Sequence, residues 1–276
     1  MSAPSPSLPK TLVLVGAGKM GGAMLEGWLG RGMDPAGVTV LDPFASEALA
    51  GLCRERSIAL NPPAPARSPE ALVLATKPQM LDEAAPSVDA LLGTETLVIS
   101  ILAGKTTADL RARLPKARAI VRAMPNLPAS IGRGATGAAA SEEVSEAQRL
   151  MADLLLRSVG TVEWLPSEDL VDAVTAVSGS GPAYIFHLTE CLTEAGVAAG
   201  LPADLAARLA RATVTGAGEL LWQSDLPPSQ LRQNVTSPGG TTAAALQVLM
   251  AEPGGLKDLL KDAVAAAKRR AEELAG

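Results

Sequence analysis

Short apolar runs recur along the first part of the chain, and each is broken at once by glycine, proline or charge. Thr11 to Val15 (TLVLV), Val38 to Leu41, Ala71 to Ala75 (ALVLA) and Leu97 to Leu102 (LVISIL) have this form. Each reads as a strand buried on both faces, since a strand with a wet face alternates polar and apolar residues. Ala119 to Arg122 reads as a fifth strand, ending at Met124-Pro125-Asn126. Helical spacing follows the first two runs, over Met20 to Leu29 and Ser46 to Glu55. Strands separated by connections of about 10–15 residues point to βαβ units and a parallel sheet.

The pattern changes after Glu163-Trp164. From Asp169 onward the 3.6-residue period predicts helices at Asp169–Val177, Ala183–Ala199, Ala203–Trp222, Ser229–Val235, Thr241–Met250 and Leu256–Glu273. Pro202 and Pro228 suit helix starts, where no backbone N–H is needed. The chain therefore divides into a tail at 1–10, an α/β half at 11–164 and an all-helical half at 165–276. Alanine is abundant in the helical half. It permits close helix packing but builds a poor core alone, which points to burial against a partner subunit.

Composition narrows the class. Of the 276 residues 47% are hydrophobic, as a globular chain requires, while only 2% are aromatic. A formal charge of −5 argues against a nucleic-acid partner. Cys53 and Cys191 lack metal spacing and read as buried free thiols of a reducing compartment, with one disulfide as the alternative. His187, the single histidine, excludes a His-rich zinc site and reads as a packed helix residue. The N-terminal MSAPSPSLPK lacks the apolar core of a signal peptide and reads as a disordered tail. No run approaches 18 apolar residues, so neither a membrane span nor a membrane partner is expected, and the cytoplasm is the default compartment.

The chemistry begins at GAGKMG, Gly16 to Gly21, which follows the first strand and opens a helix. In that setting Gly16 permits the tight turn, Gly18 the approach of a pyrophosphate and Gly21 close helix–sheet packing. Lys19 and Met20 lie in the first turn at the anion. A tight turn without ligand is the alternative. A P-loop is excluded because no GKS or GKT follows. Asp42 closes the second strand, where an acid hydrogen-bonds the ribose hydroxyls of NAD and repels a 2′-phosphate. The other reading of Asp42 is a cap on the following turn. Ala75 to Gln79 (ATKPQ) ends the third run at the carboxyl edge. Lys77 there is either a surface charge or a group beside the nicotinamide or the domain cleft.

Two glycine-rich stretches stand out in the helical half, VSGSGPAY from Val177 and VTSPGGTT from Val235. Gly179, Ser180 and Gly181 open one expected helix, and Gly239 and Gly240 precede another. Backbone N–H groups at such starts hold a small anion, with Thr242 as a hydroxyl donor. Helix capping with close packing is the competing reading.

Taken with RAMPNLPASIGRG (Arg122 to Gly134), these stretches make the chain resemble the pyrroline-5-carboxylate reductase family, from about Thr11 to Leu260. The resemblance implies an N-terminal Rossmann-type α/β domain with a parallel sheet, followed by an all-α dimerisation domain. It implies an interlocked homo-dimer, with dimers assembling further into a decamer. The implied reaction reduces 1-pyrroline-5-carboxylate to L-proline with NADPH or NADH. Carried over by motif, Gly16 to Gly21 holds the pyrophosphate, Asn61 touches the ribose, and Ala75, Thr76, Lys77 and Pro78 line the nicotinamide side. Ser178, Gly179, Ser180 and Gly181, with Ser237, Gly239, Gly240, Thr241 and Thr242, form the substrate pocket.

This chain departs from the family pattern in three places. Leu41-Asp42-Pro43-Phe44 has none of the serine or basic residues expected around a 2′-phosphate. Gln223 stands where the family often has an acid, and Ala244 or Ala245 replaces an expected glycine. A protonated imine is already electrophilic, so the chain contributes mainly orientation, with the proton coming from solvent or through Thr242. A related imine or β-hydroxyacid reductase is one rival reading, disfavoured because Tyr184 to Gly200 contains no lysine. A dinucleotide-sensing scaffold is the other, and it has no need of two open glycine-serine loops.

Overall fold

The computed structural model describes residues 7–63 and 68–275. The tail expected at 1–10 therefore lies outside the described residues through position 6. Alternation along β1 (Leu12–Val15) assigns the two faces of the sheet. Leu12 and Leu14 enter one core with Met24, Leu25, Trp28 and Cys53, and Val13 and Val15 enter another with Leu81, Val88, Leu110 and Leu114. The period of two sends neighbouring side chains to opposite faces, so a strand covered by helices on both sides must be apolar throughout.

Among the described residues, eight strands form one sheet. They are β1, β2 (Val38–Leu41), β3 (Ala59–Leu60), β4 (Ala71–Leu74), β5 (Leu97–Ser100), β6 (Ala119–Met124), β7 (Gly134–Ala140) and β8 (Gly160–Trp164). The order is β3-β2-β1-β4-β5-β6-β7-β8. All neighbours are parallel except β6 and β7, which pair antiparallel with Val121 opposite Ala140. The order reverses on either side of β1, and such a switch point opens a crevice at the carboxyl ends of the strands.

Helices α1 (Lys19–Gly30), α2 (Glu47–Arg56) and α5 (Glu146–Leu156) supply the first core. Trp28 is fully buried there, and its indole N–H donates to Leu155 O at 2.9 Å. Helices α3 (Leu81–Leu91) and α4 (Thr107–Arg113) supply the second. Cys53 is buried as expected, and burial pushes its thiol up.

The segment expected as one helix over Asp169–Val177 is three pieces. A 3-10 turn at Glu168–Leu170 leads into α6 (Val171–Val174) and then a π turn at Thr175–Gly179. Arg122 holds this segment to the sheet, with Nη1 donating to Glu168 Oε1 at 3.2 Å and Nη2 to Asp172 Oδ1 at 3.1 Å. Strand β7 (GATGAAA) is small for the same reason, because a Cβ on Gly137 would lie 2.8 Å from Val174 Cγ1. These ties carry the first compact unit past the expected boundary at 164, to Gly179, and residues 268–276 return to it.

The second unit, Ser180–Ala267, is helical. It contains α7 (Gly181–Ala198), α8 (Ala203–Gln223), α9 (Pro228–Asn234), α10 (Thr241–Leu249) and the first part of α11 (Leu256–Ala275). Among its described apolar side chains only Ala206 and Ala210 are buried, while Phe186, Leu192, Leu220, Trp222 and Met250 are exposed. A single chain of this unit has almost no core. His187, expected to be packed, faces out on α7 with its Nδ1 3.0 Å from Glu190 Oε2. Cys191, expected buried, is exposed beside it. Both expectations took the apolar run of α7 for interior, whereas those side chains have no cover within one chain.

Among the described residues no helix is long and apolar enough to cross a membrane. None of them form a cluster of three or more His, Cys, Asp or Glu suited to a metal.

Candidate functional site

The glycine loop is built by close approach. Gly16 has φ +86°, and a Cβ there would lie 2.8 Å from Thr76 N and 2.9 Å from Ala75 C and O. A Cβ on Gly21 would lie 2.2 Å from Gly16 O. These two glycines are required by the fold itself. Gly18 is different, because a Cβ there would meet nothing within 4 Å. The space above Gly18 is open, and it lies at the N-terminus of α1.

That N-terminus has no side-chain cap and no acid in its first turn. The first N–H groups of a helix have no partner within it and attract an anion. An uncapped start beneath open space therefore fits a dinucleotide pyrophosphate. Lys19 is exposed in this turn and Met20 is half-buried.

Asp42 sits directly beside the loop. Its Oδ2 accepts from Ala17 N at 2.8 Å, and its Oδ1 accepts from Phe44 N at 2.9 Å. The acid thus caps the following turn and also ties the glycine loop to β2. Asn61 clamps the backbone from the other side, with Asp42 N donating to Asn61 Oδ1 and Asn61 Nδ2 donating to Asp42 O, each at 2.8 Å. Asn61 holds this geometry at φ +47°, a left-handed backbone rare outside glycine and asparagine. Both ends of its amide are engaged with Asp42, so its clearest role is to position the acid.

Ala75 and Thr76 follow β4 beneath the loop. The Thr76 hydroxyl is buried without a hydrogen-bond partner among the described residues. It lines a cavity with Val15, Leu41, Pro43, Met80, Glu83, Ala84, Ser87 and Val88. Leu41 and Pro43 bring this cavity against the end of β2, next to Asp42 in the chain. Lys77 is exposed and leads into a 3-10 turn at Pro78–Met80. Gly16, Gly18, Gly21, Asp42, Asn61, Ala75 and Thr76 thus converge on one carboxyl edge.

The SGSGP stretch divides between the two units. Ser178 and Gly179 end the π turn of the first unit. Asn126 Nδ2 donates to Ser178 O and Oγ, both at 3.2 Å, while Asn126 Oδ1 accepts from Ala135 N at 2.9 Å. Ser178 Oγ in turn donates to Ala135 O at 3.3 Å. The Ser178 hydroxyl is therefore engaged within the chain. Gly179 allows close packing, because a Cβ there would lie 2.9 Å from Met124 Cε.

Asn126 and Arg122 were not singled out from sequence. A lone arginine within the apolar AIVRAM was the available signal, because a buried cation demands carboxylates nearby.

In the second unit Ser180 precedes α7, which starts at Gly181 rather than at Ala183. Gly239 has φ +70°, and Gly240 forms the uncapped N-terminus of α10. Gly240 N donates to Ser237 O at 3.1 Å, closing the turn. Thr241 and Thr242 occupy the first turn of α10. Each unit thus presents an uncapped helix start behind a glycine turn.

Comparison with known proteins gives concordant results. The pyrroline-5-carboxylate reductase dimerisation family matches residues 168–274, and the coenzyme F420-dependent NADP oxidoreductase family matches residues 11–104. The chain is 39% identical over 266 residues to the pyrroline-5-carboxylate reductase of Pseudomonas aeruginosa, covering 96% of both chains. It is 46% identical over 205 residues to that of Synechocystis, covering 74% of this chain and 75% of the relative. Among solved structures, a pyrroline-5-carboxylate reductase from Coxiella burnetii superposes with a TM-score of 0.89 at 37% identity, covering 97% and 99% of the two chains. A Plasmodium falciparum pyrroline carboxylate reductase with NADP bound superposes at 0.79 and 28% identity, covering 96% and 98%.

Proposed function

The chain belongs to the pyrroline-5-carboxylate reductase family, and on that premise we propose that it reduces 1-pyrroline-5-carboxylate to L-proline with hydride from NADPH or NADH. The end-to-end likeness to the Pseudomonas enzyme carries this reading. The cofactor supplies one hydride to the imine carbon, and all other work falls to the chain. Gly18 and the first turn of α1 receive the pyrophosphate, with Lys19 and Met20 alongside. Asp42, fixed by Ala17 and Phe44, accepts from the ribose, and Ala75, Thr76, Lys77 and Pro78 line the nicotinamide side.

Substrate recognition rests on the helical residues. The N–H groups of Gly239, Thr241 and Thr242, at the positive end of α10, hold the substrate carboxylate, while Gly240, whose N–H closes the turn onto Ser237 O, shapes the pocket. Ser180 and Gly181 at the start of α7 supply further donors, while Ser178 and Gly179 shape the approach rather than bind. Thr242 delivers the proton to the imine nitrogen; its hydroxyl makes no hydrogen bond within the chain among the described residues. Holding donor and acceptor in register provides most of the rate, since no strong acid is needed for a protonated imine.

The dimerisation module and the uncovered helices of the second unit make the protein a homo-oligomer acting on a small molecule. We further assign a homo-dimer as its unit, with a decamer built from dimers as the larger assembly, in the cytoplasm and with neither nucleic acid nor membrane as partner. The net charge of −5 supports the exclusion of nucleic acid.

The test is reduction of pyrroline-5-carboxylate followed by loss of NAD(P)H absorbance, with proline identified as product. Turnover is expected with wild type, and Thr242→Val lowers kcat without weakening cofactor binding. Folded protein that makes no proline with either cofactor would overturn the assignment. Full kcat in Thr242→Val would return the proton to solvent.

A further inference from the structure

We infer that Asp42 makes this chain select against the 2′-phosphate, so that NADH rather than NADPH is its preferred hydride donor. The inference deepens the reductase reading and rests on it. Four observations at the end of β2 carry it.

First, the carboxylate is pre-oriented. Ala17 N and Phe44 N each donate to a different oxygen, and Asn61 fixes the backbone at both N–H and C=O. A carboxylate oxygen has room for two hydrogen bonds and each of these accepts one, so one position on each remains for the vicinal hydroxyls of an unmodified ribose. A 2′-phosphate has no proton to donate there and brings nearly two negative charges.

Second, the described walls do not compensate. The cavity between the glycine loop and α2 is lined by Ala17, Gly18, Gly22, Ala23, Phe44, Ser46 and neighbouring apolar residues. Among the described residues its charged lining is Lys19, Glu26 and Asp42, one cation against two carboxylates. Lys19 is thus outnumbered at the place where a 2′-phosphate needs an excess of positive charge.

Third, the cavity lined by Leu41 and Pro43, the chain neighbours of Asp42, has Glu83 as its charged lining residue among those described. Among the described residues, both cavities at the end of β2 carry more acid than base. Fourth, Phe44 presents an exposed ring, 77% accessible, two residues after the acid. A ring there offers an apolar face to a base and no charge to a phosphate.

Like charges within about 4 Å in a partly wet site lower affinity by tenfold or more. The oligomeric protein is titrated with NADH and with NADPH at fixed ionic strength, following nicotinamide fluorescence, and kcat/KM is measured with both cofactors. NADH is expected to bind at least about tenfold more tightly, with kcat/KM in the same direction. Asp42→Asn retains the size and one acceptor while removing the charge, and is expected to narrow that ratio by about tenfold. Circular dichroism of the variant reports whether the loop tie has been lost. The wild-type ratio alone decides the matter if the variant fails to fold.

Equal or tighter binding of NADPH by wild type overturns the inference even if proline is made. Preferential NADH binding without proline formation upholds the discrimination and sinks the reductase reading instead.

Discussion

Arg122 offers the sharpest test of how the first unit is held together. Its side chain is 4% exposed, and it bridges Glu168 and Asp172, which are 30% and 16% exposed. Glu168 Oε1 also accepts from Thr107 N at 2.7 Å, so this carboxylate joins α4 to the same cluster. Arg122→Met fills similar volume but leaves two half-buried carboxylates facing the position of a lost cation. Breaking a buried ion pair from one side costs about 3–5 kcal/mol. Glu168 keeps its N–H partner and some water, which places the expected loss near the lower end, about 3 kcal/mol. At about 2–4 °C per kcal/mol this lowers Tm by roughly 6–12 °C.

The triple variant Arg122→Met, Glu168→Gln, Asp172→Asn removes the uncompensated charge and should regain more than half of that loss. Urea denaturation at one high chain concentration measures both, since dilution would add the cost of dissociation. A loss below about 1 kcal/mol in the single variant, or simple additivity in the triple, would refute the picture of a buried, mutually dependent cluster.

Three further outcomes follow from the local geometry. Gly18→Ala should leave stability within about 0.5 kcal/mol of wild type, because the space is open, yet weaken cofactor binding; Gly21→Ala should lose about 1–3 kcal/mol by overpacking against Gly16 O. Chemical denaturation and nicotinamide fluorescence on the same samples separate the two. Asn126→Ala frees Ser178 and leaves Ala135 N unpaired, so KM for the imine should rise about tenfold with cofactor affinity unchanged, at a cost of about 1–3 kcal/mol; a fall in kcat alone would contradict the positioning role. Thr106→Ala removes the N-cap of α4 and should cost about 1 kcal/mol at neutral pH.

That last cost depends on pH. Burial pushes the Asp109 carboxyl up, but the Thr106 N–H and hydroxyl, with Lys105 and Arg113, hold it below its usual value of 3.8. Its contribution is complete above that unfolded value and fades as pH falls through the lower folded one. The gap between wild type and Thr106→Ala should therefore shrink on acidification, as read by thermal melts.

The buried parallel strands were legible because β1, β4 and β5 are apolar on both faces, and short runs of that kind carry their own signal. Strands β7 and β8 were not. GATGAAA is small because α6 lies against it, and a packing demand from a later segment leaves no periodic mark. The helix expected over Asp169–Val177 had the right period, but the pull of Arg122 and Asn126 on Glu168, Asp172 and Ser178 divides it into three conformations.

At the candidate site the glycine loop was readable from spacing alone. Asp42 was read either as a ribose acceptor or as a turn cap, and its bonds to Ala17 and Phe44 show that capping orients the same carboxylate. The parts played by Asn61 and Asn126 were hidden, since an asparagine's partners are set by tertiary pairing across 19 and 52 positions of chain.

The bare helices of the second unit bear on how the protein is made. A ribosome delivers the sheet first, and domains generally fold as units in order of synthesis. The sheet unit recovers its last piece only from Lys268 onward, so the nascent chain must carry the helical segment, still uncovered, until that piece emerges. Covering it requires a second chain, which makes maturation a second-order process whose half-time lengthens as expression falls. Scarce chains therefore spend longest with Phe186, Leu220 and Trp222 in water. Chaperone demand per molecule should be greatest at low synthesis rates, the reverse of what holds for a monomer that folds alone.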